Sequence, residues 1–127
     1  SQLEAGADVL FPVGGNQFGA GSEAIIESGV DAVMIGVDKD IALTSPEYAA
    51  YILTSAEKRM GAATFDIIED YAVNGNFSGD YYMGDLSNAG TDISPFYDFD
   101  SKISQEIKDR LAELKAGIID GSIDPLA

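Results

Sequence analysis

The sequence DVLFPV at residues 8–13, followed by a glycine-rich stretch and then by AVMIGV at residues 32–37, decides the fold. Each of the two apolar runs has the length of a buried strand. Between them, EAIIES at residues 23–28 is a helical stretch, and Gly29 stands where the left-handed residue that closes a helix belongs. A strand, a helix and a second strand in this order predict a parallel, right-handed βαβ unit.

The rest of the chain continues this alternation. We predict a third strand at residues 51–54, a helix from Lys58 to about Val73, and extended segments at 80–83 and 93–96. Strands that alternate with helices predict an α/β fold with a parallel, Rossmann-like sheet.

The final helix is the clearest element of the sequence. Its apolar residues recur every three or four positions on an otherwise charged helix, which predicts one core-packing stripe: Ile103, Ile107, Leu111, Leu114 and Ile118. Ser104 has the side chain of an N-cap, and Gly121 is the expected C-terminal stop.

Composition excludes several kinds of site. The 127 residues include 7 basic and 22 acidic side chains, a formal net charge of -15, which argues against direct binding of nucleic acid or anionic lipid. The chain has no cysteine and no histidine, so disulfides, cysteine nucleophiles, zinc fingers and histidine bases are excluded. We expect no enzyme activity, no metal and no cofactor.

The ends of the sequence predict a fragment. SQLEAGAD at residues 1–8 has the pattern of a helix that leads into a strand, and no initiating methionine precedes it. The sequence contains neither a signal peptide nor an apolar run long enough to span a bilayer. We therefore expect any targeting segment to lie upstream.

Polar and glycine residues follow each of the three predicted parallel strands. Gly14 and Gly15 follow the first, Asp38 the second and Lys58 the third. Because ligands bind beyond the carboxyl ends of parallel strands, these residues form a candidate binding site. A carboxylate and an ammonium group suit the neighbouring hydroxyls of a polyol such as ribose. The alternative is that Asp38 is a turn residue and Lys58 a solvated first-turn helix residue.

The glycine-rich stretch also fits a second hypothesis. GAGSEA at residues 19–24 matches the weak G-x-G-x-x-A pattern of dinucleotide-binding turns, and Asp38 lies near the spacing of the ribose-binding acid. The insertion of residues 14–18 makes this turn longer than the usual one. Phe18 either stacks on a ligand ring or packs against its own loop.

Two Asp-x-Asp pairs, at residues 38–40 and 98–100, raise the question of calcium. Neither pair has the run of oxygen ligands that a calcium loop requires. We expect these residues to close turns and cap helices.

Four segments in order carry a resemblance to a known family: AGADVLFPVGG at 5–15, IGVD at 35–38, LTSAEK at 53–58 and PFYDFD at 95–100. Together they resemble the C-terminal portion of the basic membrane protein (BMP) family. The resemblance implies a two-lobed, type I periplasmic-binding-protein-like fold. It also implies a solute-binding component of an ABC importer that binds purine nucleosides without chemistry.

The resemblance also assigns roles to individual residues. It matches the ribose-binding aspartate, the lysine and the glycine loop of the family to Asp38, Lys58, Gly14 and Gly15. The chain departs from the family where Asn16 and Gln17 replace the usual Thr-Gly, which leaves the placement of Phe18 and the base specificity open.

Further expectations follow from the family resemblance. Residues 1–127 would form the C-terminal portion of the two-lobed protein, with 58–90 belonging to the other lobe. The parent would be an extracytoplasmic lipoprotein anchored to the cell membrane, with a nucleoside and an ABC permease as partners and no nucleic acid. Faces left uncovered would favour self-association. A domain of an enzyme that binds a dinucleotide cofactor is the alternative, and a structural domain without a site is a third hypothesis.

Overall fold

A computed structural model describes residues 1–77 and 79–126 and confirms the α/β prediction. Four strands form one open, mostly parallel, Rossmann-like sheet in the order β1-β2-β3-β4. The first and third strands both pair with β2 in parallel. The strands are β1 (Val9–Leu10), β2 (Val33–Asp38), β3 (Ile52–Lys58) and β4 (Thr91–Ile93).

Four α-helices and two 3₁₀ helices connect the strands. The α-helices are α1 (Gln17–Ser28), α2 (Ile41–Thr44), α3 (Met60–Asn74) and α4 (Gln105–Asp120). The 3₁₀ helices span Pro46–Tyr51 and Tyr97–Lys102.

The chain divides into two compact units. The first consists of Ser1–Glu57 and Ile93–Ile103, and the second of Lys58–Asp92 and Ser104–Ala127. The second unit begins at Lys58, where the sequence analysis places a change of lobe. The two-lobed parent stays a prediction.

The core of the first unit lies between α1, β2 and α2. Ile25, Met34, Ile41 and Ile52 are almost fully buried there. Helix α1 approaches β2 closely because Gly21 has no side chain: a Cβ atom at that position would lie 2.6 Å from the sulfur of Met34. A side chain at position 21 would therefore have to displace the buried side chain of Met34.

The second unit contains the two long helices α3 and α4. The carboxylate of Asp92 pairs with Lys115 on α4, at 2.6 Å, and with Arg59 just before α3, at 3.7 Å. Asp92 is largely covered, so these pairs are less screened than fully exposed ones.

The helix ends follow the sequence predictions closely. Gly29 and Gly121 both have a left-handed backbone, with φ of 65° and 79°. The hydroxyl of Ser104 accepts a hydrogen bond from the Ile107 amide at 3.3 Å, as an N-cap does. The stripe on α4 is covered less than predicted, since Ile107 is 51% exposed and Gly117 is the buried residue of the helix.

Four local predictions were wrong. The first strand is Val9–Leu10 and not residues 8–13, and Phe11 and Val13 are exposed and not buried. Residues 80–83 form no strand. The loop after β1 is shorter than predicted because α1 begins at Gln17. Lys58 is the last residue of β3 and not part of a helix, since α3 begins only at Met60.

Buried hydroxyl groups hold β3 within the first unit. The amide of Ser55 donates to the Ser94 hydroxyl, the amide of Ser94 donates to the Ser55 carbonyl, and both distances are 2.8 Å. The Ser55 hydroxyl accepts from the Ile41 amide at 3.1 Å. Because Ile41 is the first residue of α2, its amide has no partner within the helix.

We predict that Ser55→Ala lowers the free energy of unfolding by about 1–3 kcal/mol, because the buried Ile41 amide loses its acceptor. Ser22→Ala is the matched control. Both serines are fully buried, but within the described residues the Ser22 hydroxyl has no hydrogen-bond partner. Urea denaturation should show no loss of stability for Ser22→Ala. Equal losses for the two variants would contradict the prediction.

Candidate functional site

The candidate site in the first unit lies at the carboxyl edge of the parallel strands. Gly14 and Gly15 follow β1, and Asp38 is the last residue of β2. The parallel pairing of these strands directs both ends to the same edge of the sheet. Lys58 ends β3 and belongs to the second unit. The ligand-binding roles of these residues stay predictions.

Asp38 has a left-handed backbone with φ of 71°. For residues other than glycine this conformation costs roughly 1–2 kcal/mol, although aspartate tolerates it better than most. Tyr97 is also left-handed, with φ of 43°. Such conformations are more frequent at functional sites than elsewhere, which makes the edge a candidate site on structural grounds.

Asp40 joins the start of α2 to Tyr97. One carboxylate oxygen accepts from the Leu43 amide at 3.1 Å and so caps α2, and the other accepts from the hydroxyl of Tyr97. The predicted capping role of the first Asp-x-Asp pair is therefore present at Asp40. The hydrogen bond to Asp40 is the main cause that raises the pKa of Tyr97 above its usual 10.0, and burial and the charges of Asp40 and Glu57 add to it.

A shallow groove of about 410 Å³ lies beside the amino end of α1. Phe18 is part of its lining, and its ring meets the Tyr48 ring edge-on at a centroid distance of 6.3 Å. The Lys39 ammonium lies 5.7 Å from the centre of the Phe18 ring. Tyr48 in turn donates to Glu23 at 3.1 Å. Phe18 thus contacts Tyr48 and Lys39 and lines the groove, and its ligand-binding role stays a prediction.

Tyr48, Glu23 and Lys39 were not predicted as groove residues. Lys39 was detectable as the neighbour of Asp38 at a strand end. Tyr48 and Glu23 were not, because they lie 25 positions apart in the chain and meet only through packing.

The dinucleotide hypothesis is wrong in structural terms. The tight glycine turn of the motif is missing, because residues 11–16 separate β1 from α1 and Gly19 and Gly21 both lie within the helix. Gly21 instead allows the close contact with Met34.

An open parallel sheet with helices is a fold that receptors, enzymes and regulators share, so it defines a class of architecture and not an activity. No protein-family model matches the sequence, and no curated protein matches it. Among solved structures, the chain resembles the crystal structure of a transcriptional activator of the comK gene from Bacillus halodurans, with a TM-score of 0.76 and 20% sequence identity. The match covers 98% of this chain and 41% of that one. At this identity the likeness shows the fold alone.

These comparisons correct the expected family. The assignment to the BMP family, to an ABC importer and to nucleoside binding was wrong, because no family model supports it and the structural neighbour is described as a transcriptional activator. Of the segments behind that assignment, 35–38 and 53–58 lie on β2 and β3, where any parallel sheet favours small and apolar residues. Segment 5–15 contains the two residues of β1, and 95–100 lies mainly on a 3₁₀ helix.

The expected partners are corrected in the same way. The expected nucleoside and ABC permease belonged to the family assignment, and the solved structure that the chain resembles is described instead as a transcriptional activator. Within residues 1–77 and 79–126, no helix is long and apolar enough to cross a membrane. The extracytoplasmic location stays a prediction.

We predict that Asp38→Gly is more stable than Asp38→Ala by about 1 kcal/mol, because only glycine adopts the left-handed backbone without strain. Both changes delete the carboxylate, so the difference reports the backbone alone. At Asp31, whose φ is not positive, the same pair should show the opposite order. Thermal or urea unfolding of the four variants measures both differences, and greater stability of alanine at both positions would contradict the prediction.

We also predict that Tyr97 titrates above pH 10, because ionisation breaks its hydrogen bond to the negatively charged Asp40. Since the pKa in the folded state is raised, this bond stabilises the fold below pH 10, and its contribution is lost as the pH rises through the folded pKa. NMR of ring-labelled tyrosine measures the titration. Asp40→Asn should lower the pKa of Tyr97 while that of Tyr48 stays raised; an unchanged Tyr97 pKa would refute the assignment.

Proposed function

We propose that the chain is a non-catalytic module of a transcriptional regulator and that it acts by contacting another protein. The observation that carries the proposal is the agreement of fold with a transcriptional activator over 98% of the chain. Because the chain spans 41% of that neighbour's length, the proposal concerns a module and not the activity of a whole protein.

The charge distribution favours a protein partner over direct contact with DNA. In the first unit, Lys39 and Lys102 are the basic residues, against eleven acidic ones. The second unit has five basic and eleven acidic residues. Neither unit can neutralise a row of phosphates, which DNA-binding surfaces must do. A strongly negative surface attracts and orients a protein with basic residues.

Two carboxylates with lowered pKa, Asp85 and Asp120, have structural roles. Hydrogen bonds from the hydroxyl and amide of Ser87 lower the pKa of Asp85, and those from Ser122 lower the pKa of Asp120. Both residues close turns. A contact module needs no acid or base at all, so the proposal includes no bond-making step.

A tethering experiment tests the proposed function. The chain is fused to a DNA-binding domain of known operator and placed beside a reporter promoter. We expect transcription to exceed that obtained with the DNA-binding domain alone, because the module recruits its protein partner to the promoter. The isolated chain should not bind random duplex DNA even at low salt, where phosphate contacts are strongest. No change in reporter transcription, or DNA binding by the isolated chain, would overturn the proposal.

A further inference from the structure

The groove beside the amino end of α1 contains a buried serine whose hydroxyl has no hydrogen-bond partner. Ser45 lines this groove and is only 8% exposed. Its side chain does not cap the 3₁₀ helix Pro46–Tyr51 and forms no hydrogen bond within residues 1–77 and 79–126. Among these residues, only the hydroxyl of Ser22 is both unpaired and fully covered, so that of Ser45 keeps contact with open space. A buried hydroxyl that borders a groove in this way can form a hydrogen bond to a ligand.

The same groove contains positive charge. The Lys39 ammonium lies 5.7 Å from the centre of the Phe18 ring, and Lys39 forms no ion pair within the described part of the chain. The amino end of α1 adds a partial positive charge, since the first amides of a helix have no partner within it. The Asn16 side chain makes no capping hydrogen bond there, and the first turn contains no acidic residue. These groups favour an anionic group of a ligand, such as a carboxylate.

Two carboxylates also line the groove, those of Glu23 and Glu47. The hydrogen bond to Glu23 is the main cause that raises the pKa of Tyr48 above 10.0, and burial and the charges of Glu23 and Glu47 add to it. Both carboxylates therefore lie near one hydroxyl group. Because the Tyr48 hydroxyl is a neutral donor, its hydrogen bond leaves the negative charge of Glu23 in place.

This mixture of charges identifies the chemistry of the ligand. A ligand with only an anionic group would be repelled by the two glutamates, and a ligand with only a cationic group would be repelled by Lys39 and the end of α1. A zwitterion satisfies both sets of charges. The rings of Phe18 and Tyr48 are half-buried, so each keeps part of its surface for an apolar side chain.

We propose that this groove binds a small zwitterion, a free amino acid with an apolar side chain. The carboxylate of the ligand lies at Lys39 and the amino end of α1, with the Ser45 hydroxyl as a further partner. The ammonium group lies at Glu47, and the side chain packs against Phe18 and Tyr48. The proposal goes beyond the proposed function and does not depend on it.

A series of three ligands tests the proposal by NMR titration of the isotope-labelled 127-residue chain. The probes are phenylalanine, phenethylamine, which lacks the carboxylate, and 3-phenylpropionate, which lacks the ammonium group. Because the groove is shallow, we expect millimolar affinity for phenylalanine, about fivefold or more tighter than for either of the other probes. The amides of residues 16–20 and 45–48 should shift. No shift with phenylalanine well above millimolar concentration, or equal affinity for all three probes, would overturn the inference.

Charge variants assign each end of the ligand. Lys39→Met should weaken binding of phenylalanine and of 3-phenylpropionate about fivefold, without weakening that of phenethylamine. Glu47→Gln should weaken binding of phenylalanine and of phenethylamine instead. The matched controls are Lys102→Met, whose ammonium lies 4.8 Å from the Phe99 ring and outside the groove, and Glu27→Gln on an exposed position of α1. Equal losses in the variants and their controls would contradict the assignment.

Ser45→Ala tests the role of the unpaired hydroxyl. Because this hydroxyl has no partner in the described chain, its removal should leave the stability towards urea unchanged while phenylalanine binds more weakly. Unchanged binding by this variant would show that the ligand does not use Ser45. The tethered reporter is a separate readout: a chain that binds phenylalanine but activates no transcription would refute the module proposal and leave the groove assignment intact.

Discussion

The close approach of its neighbours to β2 is the constraint on which the first unit depends. At Gly36, a Cβ atom would lie 2.4 Å from the Ser55 hydroxyl and 2.6 Å from Ile41, and the corresponding atom at Gly21 would meet Met34. These distances leave no room for a side chain. Two glycines therefore allow α1, α2 and β3 to pack against one central strand.

This packing also determines the conformation of the chain at the carboxyl edge of the sheet. Ser55 sits close enough to Gly36 to accept from the first amide of α2, which fixes where the chain turns after β2. The left-handed backbone at Asp38 lies in that same turn, and Asp40 then caps the helix that follows. The second unit is different, because α3 buries none of its residues.

The helices and strands whose formation depends on neighbouring residues in the chain could be predicted from the sequence. The strands around Met34 and Ile52, and the capped helix α4, followed from apolar periodicity and from residues with special backbone preferences. The tyrosine–carboxylate pairs could not be predicted, because Tyr97 and Asp40 are 57 positions apart and no local pattern joins them. The predicted function was wrong for a related reason. The motifs at the strand ends are typical of a parallel sheet, and proteins with many different functions contain such a sheet.

Amide hydrogen exchange of the chain tests most directly whether the buried contacts around β2 hold the first unit together. The amides of β2 and β3 should be strongly protected, because these strands lie in the core of the first unit. The amides of α3, which buries none of its residues, should exchange faster. Exchange of β2 as fast as that of α3 would contradict the account.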